Sequence, residues 1–366
     1  MKQPIFVDTE PQWLQAEEEL NRAGLPMPLF HRWAWAKYNR KSRHRLLTLR
    51  TASGQVFACA AVQMDNSRVL PWHYYLRMIR FGHGLPQAAW EPMIAALSNL
   101  AQSDARVLRL SVGVFSREHR SESAALLAQH GFQRAAQPRS YRHTLTMDMQ
   151  PDESEILNGM HKTARKNLRD AEKSTLCVRT LTDVMYAERI GSLQEESMSR
   201  TGGKHEKQDW RSILELSRVH PNLSRVVGLF SSDLELQPDA LVGFGWGCMH
   251  GDHGEYHAAG TTRLPDLKLS LSYPLLWNLI LWSRQQGASW FDLGGVTLGD
   301  SATDPLGGIS DFKRYFSRVV EEVGDEWTLE PHPARIHLAE LLGKAARGSA
   351  DILRRLRRGK QTNHDK

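Results

Sequence analysis

The 366-residue chain reads as two copies of one mixed α/β fold joined in tandem, and three observations carry that reading. Its length exceeds what a single hydrophobic core ordinarily holds, so two domains are expected. Both halves run through a similar order of elements: helices, a group of apolar strands, a helix, a strand and more strand. A polar stretch at 148–155, DMQPDESE, separates them as a linker. The expected division is 1–150, 151–330 and a basic helical tail over 331–366.

In the first half, residues 4–8 (PIFVD) predict a short strand. Pro11 starts a helix, where its missing N–H costs nothing, and Gly24 ends it. The aromatic run 29–38, LFHRWAWAKY, predicts a second helix. Strands over 46–50 and 56–64 flank Ala52-Ser53-Gly54, a hairpin signal. A strand over 74–81 stops at Gly82-His83-Gly84. Residues 88–101 are helical, 107–112 alternate as a strand, and 123–130 form a helix closed by Gly131. Strands over 132–136 and 141–147 complete the unit.

In the second half a helix is expected over 153–173, then a strand over 176–181 and helices over 183–199 and 208–219. Strands follow over 225–231, 240–249 and 253–261, the last two turning at Gly251-Asp252. A helix over 268–286 is apolar nearly all round and should lie buried between layers. A strand over 289–293 then leads into the most distinctive stretch of the chain, 290–316, WFDLGGVTLGDSATDPLGGISDFKRYF. A strand there ends in Asp292-Leu293 and two glycines. A long polar loop follows, of a length that is uncommon without function. The turn Phe312-Lys313-Arg314-Tyr315-Phe316 closes it.

Composition bounds the function classes. The chain is 41% hydrophobic and 24% charged, with a formal charge of +6, a mild basic excess compatible with anionic partners. Cys59, Cys177 and Cys248 lie far apart without metal-ligand spacing, so neither a zinc site nor a disulfide framework is expected, and buried thiols in a reducing cytoplasm are. No apolar h-region follows the N-terminus, and no apolar run approaches the ~18 residues a membrane span needs. A cytoplasmic protein is expected, with contact at a membrane surface as an extension of that reading.

Three segments offer chemistry. In the helix over 153–173, Leu157, Met160, Ala164, Leu168 and Ala171 form one stripe. Lys162, Arg165, Lys166, Arg169 and Lys173 form another, about 150° away on a helical projection. The basic stripe is either a solvated face or a surface for phosphate. In the strand over 253–261, period two sends Glu255 and His257 to one face and Tyr256 to the other. A carboxylate or imidazole there could accept a proton from an amine nucleophile, the alternative being an exposed polar face. The loop 263–268, RLPDLK, precedes the apolar helix, whose free amides could meet an anion.

The combination FDLGGV, polar loop and GGISDFKRYF resembles the C-terminal signature of Fem-type aminoacyl transferases and the related BioF2-like acyltransferases. The basic segment 161–173, HKTARKNLRDAEK, and 193–200, LQEESMSR, resemble the helices that open their second domain. The matches span 155–328, while the first half agrees only in layout. The resemblance implies two tandem GNAT-like domains, each a mixed, mostly antiparallel sheet flanked by helices, sharing a cleft. It implies transfer of an acyl or aminoacyl group from an activated donor to an amine acceptor, which in Fem enzymes is a peptidoglycan precursor. Lys313 then corresponds to the family lysine that steadies the developing oxyanion, and Arg200 to an arginine contacting substrate phosphate. Asp292 holds the loop or orients Lys313. Arg165, Arg169, Tyr256 and Phe312 are further candidate substrate contacts.

No tightly bound cofactor and no metal are implied; the co-substrate is aminoacyl-tRNA or acyl-CoA. A CoA-binding GNAT loop carries glycines that 263–268 lacks. The long coiled-coil insertion of some Fem proteins is also missing, and a tail, 332–366, is added instead. In the tail Ile336, Leu341, Leu342, Ile352, Leu353 and Leu356 alternate with basic residues, a pattern suited to anionic lipid or RNA, or to a solvated terminus. Two rival readings remain: an acyl-CoA-dependent N-acyltransferase acting on a polysaccharide or small metabolite, and a non-enzymatic adaptor binding RNA or membrane through the basic helix and tail.

Overall fold

The structure is a computed structural model, and it describes residues 4–25, 27–201, 207–231, 236–263, 269–299 and 307–346. Its strands are β1 (Ile5–Val7), β2 (Arg43–Arg50), β3 (Val56–Asn66), β4 (Tyr74–Phe81), β5 (Val107–Phe115), β6 (Gln133–Arg134), β7 (His143–Asp148), β8 (Cys177–Leu181), β9 (Ser224–Phe230), β10 (Leu241–Met249), β11 (His253–Thr261), β12 (Trp290–Val296), β13 (Val319–Glu322) and β14 (Gly324–Leu329). They form two seven-stranded sheets, ordered β1-β2-β3-β4-β5-β14-β6 and β13-β7-β12-β11-β10-β9-β8. Each sheet contains one parallel pair, β4 with β5 and β11 with β12, among antiparallel neighbours. The two halves thus repeat one architecture, a mixed sheet flanked by helices.

The sheets do not divide at residue 150. Strand β7, read as the close of the first unit, lies inside the second sheet between β12 and β13. Strand β14 returns to the first sheet, between β5 and β6. The strands at 319–329 were not foreseen in the sequence. The two crossing connections pass so closely that a Cβ at Gly324 would land on the Tyr141 carbonyl oxygen, which is why glycine stands there. The halves also share a core. Leu29, Phe30, Ala34 and Tyr38 pack with Trp210, Phe244 and Trp246 of the second half.

Two expected helices are broken. Residues 29–38 form a 3-10 turn, Leu29–His31, and a short helix, Trp33–Tyr38, because Arg32 is extended. The helix expected over 153–173 is two helices, Glu153–Gly159 and Lys162–Glu172. Asp152 and Glu155 form a capping box at the first, satisfying two amides that a helix start leaves without partners. Met160 and His161 are extended between them. The His161 N–H is drawn away to the Tyr315 carbonyl, and His161 Nδ1 accepts the Thr163 amide as the new N-cap. The apolar helix spans Ser272–Gln285 and buries Leu275, Leu276, Leu279, Ile280 and Trp282 against the second sheet, as expected. The three cysteines are buried thiols. No helix among the described residues is long and apolar enough to cross a membrane.

Candidate active site

The parallel strands β11 and β12 pair over only three positions, His253–Glu255 against Trp290–Asp292. Beyond Glu255 and Asp292 they part: β11 continues along β10, and β12 along β7 after a register shift between Asp292 and Gly295. At this opening Gly294 has φ +77, and a Cβ there would sit 2.9 Å from the Tyr256 carbonyl oxygen and 3.3 Å from Lys313 Nζ. Both the left-handed backbone and the close approach require glycine.

The expected aromatic-basic turn begins as the end of a helix, Gly307–Arg314, with Tyr315 and Phe316 just past it, and this helix brings Lys313 back over the opening. Lys313 is only 7% exposed, and its Nζ donates to the Gly295 carbonyl at 2.8 Å. Burial pulls its pKa down to about 8, while the charges of Asp292 and Glu255 oppose the shift. It therefore remains largely an ammonium at neutral pH.

Behind Lys313 lies a buried polar network shared by both halves. Asp292 accepts hydrogen bonds from Thr144 Oγ1, from the Gly294 amide at 2.7 Å and from the Tyr141 hydroxyl at 2.6 Å. Glu255 accepts from Arg80 Nη2 at 2.7 Å and from His250 Nε2 at 2.8 Å. His257 Nδ1 lies 3.3 Å from the same carboxylate. Burial alone would raise the Glu255 pKa, yet the Arg80 guanidinium, helped by the imidazoles, holds it well below the ordinary carboxylate range. Asp292 is pushed upward, by burial first and then by the neighbouring Glu255 charge. Arg80 comes from the first half and adopts φ +55, with its guanidinium 4.0 Å from the centre of the Phe115 ring.

Several predicted residues converge and others do not. Lys313, Asp292 and Glu255 belong to one cluster, and His257 borders it, packed against Trp246. Tyr256 points to the opposite face and packs on the second core. The Phe312 ring packs on Tyr273 and Phe316. Arg165 and Arg169 stand on helix Lys162–Glu172, with side chains turned to backbone carbonyls of their own segment. Arg200 donates to the Thr261 carbonyl at the far end of β11, about 20 Å along the strand from Glu255. Segment 264–268, and with it most of the expected anion loop, lies outside the described residues, as do 300–306 of the polar loop and 347–366 of the tail.

Sequence reasoning missed Arg80, Tyr141, Thr144 and His250. One signal was available. Tyr74, Leu76, Met78 and Arg80 share the buried face of β4, so the arginine at that register had to find an acid.

His83, Asp252 and His253 bring their potential ligand atoms within 4.8 Å of one another. They do not suit a metal. Arg80 Nη1, which can only donate, lies 3.1 Å from His253 Nε2, so Nδ1 carries the proton that it gives to Asp252 at 2.8 Å. Trp290 Nε1 also donates to Asp252, at 3.1 Å, and His83 Nε2, 3.2 Å from that carboxylate, gives its proton to the His250 carbonyl at 2.8 Å, so neither imidazole presents a free lone pair on these atoms.

A cavity of about 1010 Å³ lies far from this cluster, along β14 and β6, where its charges are mostly paired with one another, as Arg109 is with Glu330 and Glu340. One of about 690 Å³ runs past Met160, His161, Lys162, Arg314, Tyr315 and Arg318, directly beside the helix turn that carries Lys313. Of these places, the buried cluster is the candidate site, because it holds a poised cation as well as an opening between strands.

No family model matches the sequence, and no curated protein matches it. Among solved structures, FemX superposes with a TM-score of 0.66 at 12% identity, over 88% of this chain and 96% of that one. The L-PGS structure from Bacillus licheniformis gives 0.54 at 11%, over 92% and 98%. A tandem GNAT protein from the clavulanic acid biosynthesis pathway gives 0.52 at 14%, over 90% and 99%. At such identities the likeness is one of fold, and that fold is two GNAT-like units in tandem.

Proposed function

We propose that this protein is an N-acyltransferase, moving an acyl or aminoacyl group from an activated donor to an amine acceptor, with Lys313 stabilising the oxyanion. The observation that carries the reading is the buried Lys313 ammonium at the point where β11 and β12 part. The acceptor nitrogen attacks the donor carbonyl, and the carbonyl electron pair moves onto oxygen. The Lys313 N–H groups not engaged by Gly295 meet that charge in a water-poor site, where a fixed cation is most effective. Collapse of the intermediate expels the donor's alkoxide or thiolate, which takes up the proton the amine has lost and leaves as the alcohol or thiol.

The proton lost by the amine goes to His257. Glu255 is a poor base, because Arg80 holds it ionised and two strong hydrogen bonds already occupy it. Facing His257 Nδ1, it instead steadies the imidazolium that forms. Asp292 fixes the Gly294-Gly295 bend, and through it the carbonyl that holds Lys313.

The donor is aminoacyl-tRNA or acyl-CoA, and a cell-envelope precursor such as one of peptidoglycan is the acceptor class proposed. Titration calorimetry with CoA and with charged tRNA separates the donors: micromolar CoA binding selects the CoA-dependent reading, in which a polysaccharide or small metabolite is the acceptor. A panel of amine acceptors, read by mass spectrometry, tests the transfer itself. Lys313→Ala is expected to lower kcat about 10²–10³-fold with little change in KM. Unchanged turnover would reject the assignment. Loss of RNA or membrane binding on charge reversal at Arg165 and Arg169, with no transferase activity in the native protein, would select the adaptor reading.

A further inference from the structure

We propose that the protein docks on anionic lipid bilayers through one face of the first half, built from the helix at 333–346 and the β3–β4 turn. That helix has two apolar sides. Ile336 and Ala339 are buried and pack on Leu108, with Val69, Leu70 and Tyr75 beside them. On the opposite side Leu338, Leu341 and Leu342 remain 47%, 50% and 40% exposed. Spacings of three and four residues put these leucines in one outward stripe. Val69 and Leu70 tie the neighbouring turn to this helix, and two residues further on Trp72 is 89% exposed. Trp72 is held at φ +66, a conformation costly for a bulky L-residue. A tryptophan fixed outward beside a leucine stripe is what a membrane interface accepts, with the indole at headgroup level and the leucines below.

Charge selects the occupant. His337 and Lys344, both exposed, lie along one edge of the stripe. The sequence then continues with Arg347, Arg354, Arg355, Arg357, Arg358 and Lys360, against a single acid, Asp351, over the same span. A run of basic residues that follows an exposed apolar stripe in the sequence matches an anionic headgroup layer over an acyl interior. RNA would answer the arginines but would leave the tryptophan and leucines without a partner.

The test is co-sedimentation of the full chain with vesicles of phosphatidylcholine alone and of phosphatidylcholine mixed with phosphatidylglycerol. Binding is expected to the mixed vesicles and to weaken with salt. Leu338→Gln with Leu341→Gln should weaken it by about tenfold or more, and Trp72→Ala by a similar factor. These side chains are exposed, so unchanged thermal melting of the variants checks that the fold is intact. Equal binding to both vesicle types, or mixed-vesicle binding that survives all three substitutions, overturns the proposal. So does binding to a short RNA without binding to vesicles. Because none of these residues touches the Lys313 cluster, failure here leaves the transferase assignment standing, and failure of that assignment leaves the docking surface standing.

Discussion

Lys313 is a charge that folding has moved out of water, and that has a thermodynamic signature separate from catalysis. Its pKa falls from an ordinary lysine value to about 8 because burial penalises the ammonium more than Asp292 and Glu255 favour it. The unfolded chain therefore holds the proton more tightly. The penalty is present in full below pH 8 and is relieved as pH rises from there toward the unfolded value. Lys313→Met should raise stability at neutral pH, by at most about 3 kcal/mol, while lowering kcat as far as Lys313→Ala does. In the proposed role the same ionisation should limit activity. kcat should fall as pH rises through about 8, and any residual activity of Lys313→Arg should lack that limb, since a guanidinium stays charged. A Met variant that melts below the native protein, or a pH profile flat to pH 10, contradicts this account. Phe312-Lys313-Arg314 could be singled out in the sequence, and its resemblance to a known turn suggested the role proposed for it. Its burial could not be read there, because it depends on Gly295 and on two carboxylates brought in from other strands.

At the scale of one element, β12 is the decisive piece. Its sequence Phe291-Asp292-Leu293-Gly294-Gly295 reads as a strand end, and the structure extends the strand to Val296 through a distortion at the glycines. Two glycines near this strand allow a controlled comparison. Gly287 has φ +85 and nothing within 4 Å of a would-be Cβ, whereas Gly294 at φ +77 has the Tyr256 carbonyl and Lys313 Nζ. Gly287→Ala should cost only left-handed backbone strain, about 1–2 kcal/mol, and leave kcat alone. Gly294→Ala adds a steric conflict to that strain and displaces the ammonium, so kcat should fall by tenfold or more at similar KM. Equal kinetic behaviour of the two variants would show that the opening tolerates a methyl group. Helix 153–173 teaches the opposite lesson. Its stripes continued smoothly in projection, but the bond from His161 to Tyr315 broke it, and no periodicity within the segment reports a partner some 150 residues away.

At the scale of the molecule, element order correctly signalled two similar units, and local pattern hid how they are joined. The strands of 319–329, VVEEVGDEWTL, carry little alternation, and β14 completes a sheet begun more than 300 residues earlier. Each half lends the other an interior strand, so neither 1–150 nor 151–330 contains a whole sheet. The Arg80–Glu255 pair adds a buried ionic link across the boundary, with both side chains nearly inaccessible. Exchanged strands, a shared core and a buried pair should make unfolding one cooperative event, in contrast to the separate transitions of domains joined by a linker. Glu255→Ala would leave Arg80 buried without its main counter-charge and should cost about 3–5 kcal/mol. Because the pair spans both halves, that cost should lower the whole calorimetric transition without splitting it. Two resolved transitions in the native protein, or a Glu255→Ala variant that melts one half and spares the other, would mean that the crossing strands do not couple the units. In that case the Lys313 site would depend on the second half alone, and Arg80→Met would lower neither the stability of that half nor its turnover.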